Sequence, residues 1–249
     1  MTKPISLRDV SYAYQTHRGQ VFALQDVDLL IPASQFCCVL GPSGCGKTTM
    51  MNLVAGFLQP TVGSVDIDGK PIREGAGDRG VVFQDFSQLF PWRTVRGNVE
   101  FGLEIRGMAA ARRRERSEEI LDLVGLSKFA QSHPHQLSGG MQQRAAIARA
   151  LAYDPPVLLM DEPFAALDAM TRDVMQKLLA EIWQKTRKTV LYITHNASEA
   201  AFLGERVVVL SAHPGRLKKD FAVDLPRPRD PLSDTFVRKV REIVAALAA

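Results

Sequence analysis

The sequence has 249 residues, 46% of them hydrophobic and 23% charged, ordinary values for a globular chain that exclude a disordered tail, a collagen-like repeat and a disulfide scaffold. At about 150 residues per domain this is one large domain, or one domain with an insertion. Lys and Arg outnumber Asp and Glu by 31 to 27, a net charge of +4 that is spread along the chain and argues against nucleic-acid binding.

In chain order, Ile5, Leu7 and Val10 precede a polar turn expected over Gln15 to Gln20, and Val27, Leu29 and Ile31 then alternate up to Pro32, a β-rich beginning. Phe36-Cys37-Cys38-Val39-Leu40 is continuously apolar, as expected of a strand buried on both faces of a parallel sheet. A helix is expected from Thr49 to Phe57, and Val65, Ile67 and Asp68-Gly69 signal a second hairpin. Further short strands are expected at Gly80 to Phe83, Val157 to Met160, Thr189 to Ile193 and Arg206 to Leu210. Between the first two of these, Phe86 to Ala152 reads as mainly helical. There Arg112, Arg113, Arg114 and Arg116 alternate with Glu115, Glu118 and Glu119, a solvated helix face. A second helix in this stretch starts after the N-cap Ser138. Apolar spacing at Met170, Val174, Met175, Leu178, Leu179 and Ile182 predicts a helix from Asp168 to Lys185. Pro226, Pro228 and Pro231 break the chain before a final amphipathic helix, Phe236 to Leu247. Strands alternating with helices predict a doubly wound α/β core. No apolar run approaches the ~20 residues needed to cross a bilayer. No signal-type segment follows Met1, and the cysteines Cys37, Cys38 and Cys45 read as reduced thiols of a cytoplasmic protein.

Gly41-Pro42-Ser43-Gly44-Cys45-Gly46-Lys47-Thr48 fits GxxxxGK[ST] between a strand and a helix that begins near Thr49. The glycines allow backbone N–H groups to curl around phosphate oxygens, Lys47 neutralises β- and γ-phosphate charge, and Thr48 offers a hydroxyl to Mg²⁺. Val157 to Met160 would deliver Asp161 and Glu162 to the carboxyl edge of the sheet, where ligands of open α/β sheets bind. Asp161 would orient Mg²⁺ through a water, and Glu162 would polarise the water that attacks the γ-phosphate. Ser138, Gly139, Gly140 and Met141, within Leu137 to Arg144, open a helix as a second anion site. One subunit with a P-loop has no use for it, so it fits a nucleotide held by another subunit.

These motifs together resemble the ATP-binding subunit of ABC transporters, whose signature is matched by LSGGMQQR. The resemblance spans nearly the whole chain. It implies a P-loop NTPase (RecA-like) core with an N-terminal antiparallel β subdomain (together about 1–85 and 153–225), an inserted α-helical subdomain (about 86–152) and a C-terminal helix (226–249). It implies ATP and Mg²⁺ as ligands. Gln84 stands where the family's Q-loop glutamine contacts Mg²⁺ and the attacking water, and His195 matches the switch histidine that contacts the γ-phosphate and steadies Glu162. Asp168 matches the D-loop, and Tyr14 sits where an aromatic stacks on adenine. From the residues alone, Gln84 reads rather as a loop amide, His195 as a solvated or core histidine, Asp168 as a helix N-cap and Tyr14 as a strand-end surface aromatic. Met141 replaces the commonest signature glutamine, and Asn196 follows His195 where acidic residues are frequent.

By the same resemblance, two copies form a homodimer that docks on separate integral membrane permease subunits at the cytoplasmic face of the inner membrane. A periplasmic or extracellular solute-binding protein completes such a system. Leu89-Phe90-Pro91-Trp92-Arg93 suits a partner surface, or equally internal packing. That segment, Leu167 to Arg172 and Val209 to Arg216 look like importers of nitrate, taurine and alkanesulfonates. Bicarbonate or a pyrimidine would leave the ATPase subunit looking the same. The chain ends soon after Pro214, and regulation by a bound small molecule is not predicted. A soluble ABC ATPase acting on ribosomes or DNA commonly has a second cassette or a long coiled coil, and neither is present. A GTPase would carry an Asn-Lys-x-Asp motif, also missing from the sequence.

Overall fold

A computed structural model describes residues 2–17, 19–72, 77–84 and 88–248. The chain begins with two long strands, β1 (Ile5–Thr16) and β2 (Gly19–Ile31), which pair antiparallel from Ile5↔Ile31 out to Thr16↔Gly19. The polar stretch expected as a turn is therefore mostly strand. Beyond Ala13 the hairpin projects toward solvent, where ladder hydrogen bonds suffice and apolar alternation is not required. After β3 (Phe36–Leu40) and α1 (Lys47–Ala55), β4 (Val62–Ile67) pairs with β1, and the short β5 (Lys70–Pro71) completes a four-stranded sheet of order β2-β1-β4-β5.

The second sheet is built from β3, β6 (Arg79–Val82), β7 (Val157–Asp161), β8 (Thr189–Ile193), β9 (Arg206–Leu210) and β10 (Leu217–Ala222), in the order β10-β9-β3-β8-β7-β6. All neighbours are parallel except the β9–β10 edge pair. Alternation along the central strands explains their continuous apolar sequences. Cys37, Val39, Leu159, Leu191 and Ile193 join one core with α1 and the antiparallel sheet. Phe36, Cys38, Met160 and Tyr192 join another with the helices on the opposite face. Every residue sees protein on one side or the other, so the strands are apolar except where Thr189 opens β8 and Asp161 closes β7.

Between β6 and β7 come α2 (Val95–Ile105), α3 (Ala110–Leu123) and α4 (Gly139–Ala152), with single 3₁₀ turns at Ser127–Phe129 and Pro134–Gln136. Thr94 caps α2 by accepting from the Gly97 N–H at 3.1 Å. The buried Asn98 pins the preceding loop, accepting from the Phe90 N–H at 2.8 Å and donating to the carbonyls of Phe90, Arg93 and Thr94. Along α3 the charges pair on the surface, Arg114 with Glu118 at 3.1 Å and Arg116 with Glu119 at 2.9 Å. The remaining helices are α5 (Ala169–Thr186), α6 (Ala197–Leu203) and α7 (Asp234–Ala248). Neither β10 nor α6 is anticipated by the sequence. The first is a charged edge strand, Leu-Lys-Lys-Asp-Phe-Ala, and charge on an edge is a guard against mispairing rather than a sign of coil. The second has only seven residues, too few to show a period. Among the described residues no helix is long and apolar enough to cross a membrane.

Candidate nucleotide site

The loop from Gly41 to Gly46 leaves β3 and enters α1 at the carboxyl edge of the parallel sheet. Gly44 and Gly46 have φ of 76° and 94°, a left-handed backbone that glycine adopts without strain. A Cβ on Gly46 would also lie 2.5 Å from the Ala23 carbonyl oxygen and 2.7 Å from Leu24 Cδ2. The loop is thereby pressed against β2. Cys45 is buried within it, and burial raises its thiol pKa, which keeps it unreactive. Lys47 Nζ folds back to donate to the carbonyls of Gly41 at 2.9 Å and Pro42 at 3.1 Å. The Thr48 hydroxyl donates to Asp161 Oδ2 at 3.0 Å, and the Thr49 hydroxyl lies 3.1 Å from the Tyr14 hydroxyl.

A cavity of about 440 Å³ opens over this loop, lined by Ser43, Gly44, Lys47 and Thr48, by the aromatics Tyr14 and Phe22, and by Glu162 and His213. It has the size and mixed polarity of a small-molecule site. Asp161 closes β7 in register with Ile193 of β8. Burial raises its carboxyl pKa, the Thr48 hydrogen bond lowers it, the neighbouring Glu162 raises it and Lys47 lowers it. A hard cation beside the Thr48 hydroxyl and this carboxylate would relieve the burial penalty, and both are ligand types that Mg²⁺ accepts. Among the described residues there is no group of three His, Cys, Asp or Glu side chains that could hold a metal by themselves.

Glu162, directly after β7, has φ of 41°, a conformation that costs a non-glycine residue on the order of 1 kcal/mol or more. Its N–H donates to the Ile193 carbonyl at 2.9 Å, and its Oε2 lies 2.8 Å from His195 Nδ1. The twist turns the carboxylate out of the sheet to meet the histidine that follows β8.

The other residues singled out from sequence fall in three places. Gln84 is exposed, two residues past the end of β6 and outside the cavity lining; Asp85, Phe86 and Ser87 beyond it lie outside the described residues. Ser138 caps α4, accepting from the Met141 N–H at 3.4 Å, and neither it nor Gly139, Gly140 or Met141 lines the cavity. A Cβ on Gly140 would come within 2.6 Å of Thr171 Cγ2, so this glycine allows α4 to approach the start of α5. Asp168 is exposed and caps α5 by accepting from the Thr171 N–H at 3.0 Å; the Thr171 side chain first, and then this N–H, lower its carboxyl pKa. One chain thus unites the P-loop, Tyr14, Asp161, Glu162 and His195, and leaves the signature apart.

Phe22 and His213 are missed by sequence reasoning. His213 belongs to the turn between β9 and β10, whose Gly215 N–H donates to the Ala23 carbonyl and whose Gly215 carbonyl accepts from Gln25, both at 3.0 Å. That long-range docking brings the imidazole to Gly44, where a Cβ would lie 3.1 Å from the ring. No local spacing carries such a signal.

The profile of the ABC transporter family matches residues 24–165. The chain belongs to this family. Among curated relatives, an uncharacterised ABC transporter ATP-binding protein of Methanocaldococcus jannaschii is 47% identical over 99% of this chain and 92% of its own length. A nitrate import ATP-binding protein of Synechocystis is 45% identical over 89% of this chain and 83% of its own. A taurine import ATP-binding protein of Rhizobium johnstonii is 50% identical over 83% and 79%. The dimeric structure of the bacterial ABC transporter cassette MJ0796 superposes with a TM-score of 0.79 at 36% identity, over 89% of this chain and all of that one. This ABC ATPase therefore has the mixed α/β cassette fold that its sequence implies, and it is an ATP-binding, ATP-hydrolysing transport subunit.

Proposed function

We propose that this ABC ATPase energises an importer for a small anionic or zwitterionic solute, with nitrate, taurine or another sulfonate the class that its relatives' names support. The observation that carries the catalytic part is the Glu162–His195 contact of 2.8 Å at the mouth of a cavity that also holds Lys47 and Thr48. Bound ATP would set its base against Tyr14 and its phosphates along Gly41 to Thr49. Glu162, turned toward His195, accepts a proton from the water that attacks the γ-phosphorus in line. The bond to the β–γ bridging oxygen breaks, and ADP and phosphate are released. Lys47 and His195 offset the charge that accumulates on the transferred phosphoryl group. Thr48, Asp161 and Gln84 would hold the Mg²⁺ that accompanies ATP, Asp161 through a water, and bound there the ion neutralises phosphate charge.

Ser138, Gly139, Gly140 and Met141, standing apart from their own chain's cavity, would close on the nucleotide of a second copy in a homodimer, with Asp168 at the interface. The 1–85 and 153–225 portion would then carry the P-loop, and the 86–152 portion the signature and the permease contact. An apolar cleft of about 670 Å³ lined by Val81, Phe83, Phe90, Phe101 and Tyr153, with Trp92 exposed nearby, supports docking of a separate integral membrane permease. The assembly would sit at the cytoplasmic face of the inner membrane, fed by an external solute-binding protein. The test is Glu162→Gln: ATP binding is retained, ATP traps the dimer, and steady turnover falls at least ~100-fold. Wild-type turnover in that variant would overturn the assignment. Mass spectrometry of solute carried by the intact transporter separates a sulfonate or nitrate from a sugar or peptide.

A further inference from the structure

Behind the Glu162–His195 pair lies a second acidic group that the proposed chemistry does not use. Glu199, on α6, is 5% exposed. Its Oε2 accepts from the Thr194 hydroxyl, and its Oε1 accepts from Gln176 Nε2 of α5 at 3.2 Å. Thr194 immediately precedes His195, and its hydroxyl also accepts from the Asn196 N–H at 3.0 Å, so the His195 loop is wrapped around one oxygen that Glu199 holds. One turn before Gln176, Arg172 donates to the carbonyls of Phe164 at 3.3 Å and Leu167 at 2.7 Å. These two carbonyls belong to the segment that runs from Glu162 to the α5 cap Asp168. Arg172, Thr194, Glu199, Glu162 and His195 line one small cavity of about 30 Å³.

The contacts form a closed ring: Glu162 to His195, the adjoining Thr194 to Glu199, Glu199 to Gln176, and through one turn of α5 to Arg172, which holds the segment that Glu162 begins. A buried carboxylate is costly unless its lone pairs are occupied, and burial does raise the Glu199 pKa, against which Thr194 and Gln176 act. That cost is tolerated where the group fixes geometry that apolar packing cannot.

We propose that Glu199 is a positioning residue that couples the Glu162–Asp168 segment to the His195 loop, so that the Glu162–His195 pair is set only while that segment is seated. This rests on the assignment of Glu162 and His195 to hydrolysis. The segment ends at the D-loop position, so its seating would report the state of the subunit interface to the hydrolytic pair.

The experiment compares Glu199→Ala, Glu199→Gln and Thr194→Val in the full chain, alone and combined with His195→Ala, by steady-state phosphate release at saturating and limiting ATP. Glu199→Ala and Thr194→Val are expected to lower kcat about 10- to 100-fold while KM for ATP stays within about twofold. Glu199→Gln, which still offers an oxygen to Thr194, restores most of the rate. Combined with His195→Ala, none of these changes lowers kcat further, because residues acting as one unit are not additive. The coupling is overturned if Glu199→Ala and Thr194→Val each turn over at the wild-type rate, or if they lower kcat by the same factor with and without His195. A wild-type rate in His195→Ala alone would instead remove the underlying assignment, and the coupling with it.

Discussion

Arg229 offers a quantitative test of how α6 and its catalytic loop are held. Arg229 is 8% exposed, yet among the described residues no carboxylate forms an ion pair with it. Nη1 donates to the carbonyls of Ala201, Phe202 and Gly204 at 2.9, 3.0 and 2.6 Å, and Nη2 donates to Val223 at 2.9 Å. Three of these acceptors lie at the end of α6, where a helix has no partners of its own and a positive charge is favoured. Burial pushes the guanidinium pKa down to about 10, which leaves it protonated at neutral pH. Arg229→Met keeps much of the packed volume and removes every donor. With at least three carbonyls left unpaired at ~1 kcal/mol each, the loss is about 3 kcal/mol. At 2–4 °C per kcal/mol for a chain of this size, Tm should fall by roughly 6–12 °C. Thermal unfolding followed by circular dichroism measures this, with Arg229→Lys falling between the two. A Tm within about 2 °C of wild type in Arg229→Met would refute the reasoning, since it would mean that the carbonyls find water at no cost.

Tyr14→Ala should raise KM for ATP about tenfold, the worth of one stacked base, while Tyr14→Phe, which loses only the hydroxyl contact to Thr49, stays near wild type; equal ATP affinity in Tyr14→Ala would refute stacking. Thr48→Val removes the hydroxyl beside Asp161 without changing shape, and should lower turnover about 100-fold, equivalent to about 2.7 kcal/mol; titration of activity with MgCl₂ should show that saturating metal does not restore it. Lys188, hydrogen-bonded to Asp154, holds the Asp154 carboxyl below its ordinary value of 3.8. A depressed carboxyl stabilises the fold above its ordinary pKa and loses that contribution as pH falls through the lower, folded value. Asp154→Asn should therefore cost at most about 1 kcal/mol at pH 7, and the Tm gap to wild type should close as the solution is acidified below pH 4.

What the sequence makes legible depends on how local the physics is. Phe36–Leu40, Val157–Met160 and Val190–Ile193 are almost wholly apolar because both faces are covered, and the strand-glycine-helix order around Lys47 is a local necessity of wrapping phosphate. Those elements, and the helices at Asp168 and Ser138 with their side-chain caps, are readable within a dozen residues. Glu199 is not, because its partners Gln176 and Thr194 come from two other elements and only the fold brings them together. His213 reaches the P-loop through a turn docked on β2. Phe22 looks like any residue of an exposed hairpin until the cavity is seen between that hairpin and α1.

The loop that Asn98 pins has a practical use. The chain contains two tryptophans. Trp183 is 2% exposed, flanked by the Arg187 and Arg227 guanidinium groups, 4.7 and 4.9 Å from its ring. Trp92, one residue before the Arg93 whose carbonyl Asn98 grips, is 72% exposed. The two indoles should therefore emit at different wavelengths, and a water-soluble quencher should reach only one of them. The protein carries a native fluorophore at the face proposed for docking, mounted on a loop whose backbone is fixed. A blue shift and loss of quenching at Trp92 would report that face becoming covered, in real time and with no label attached.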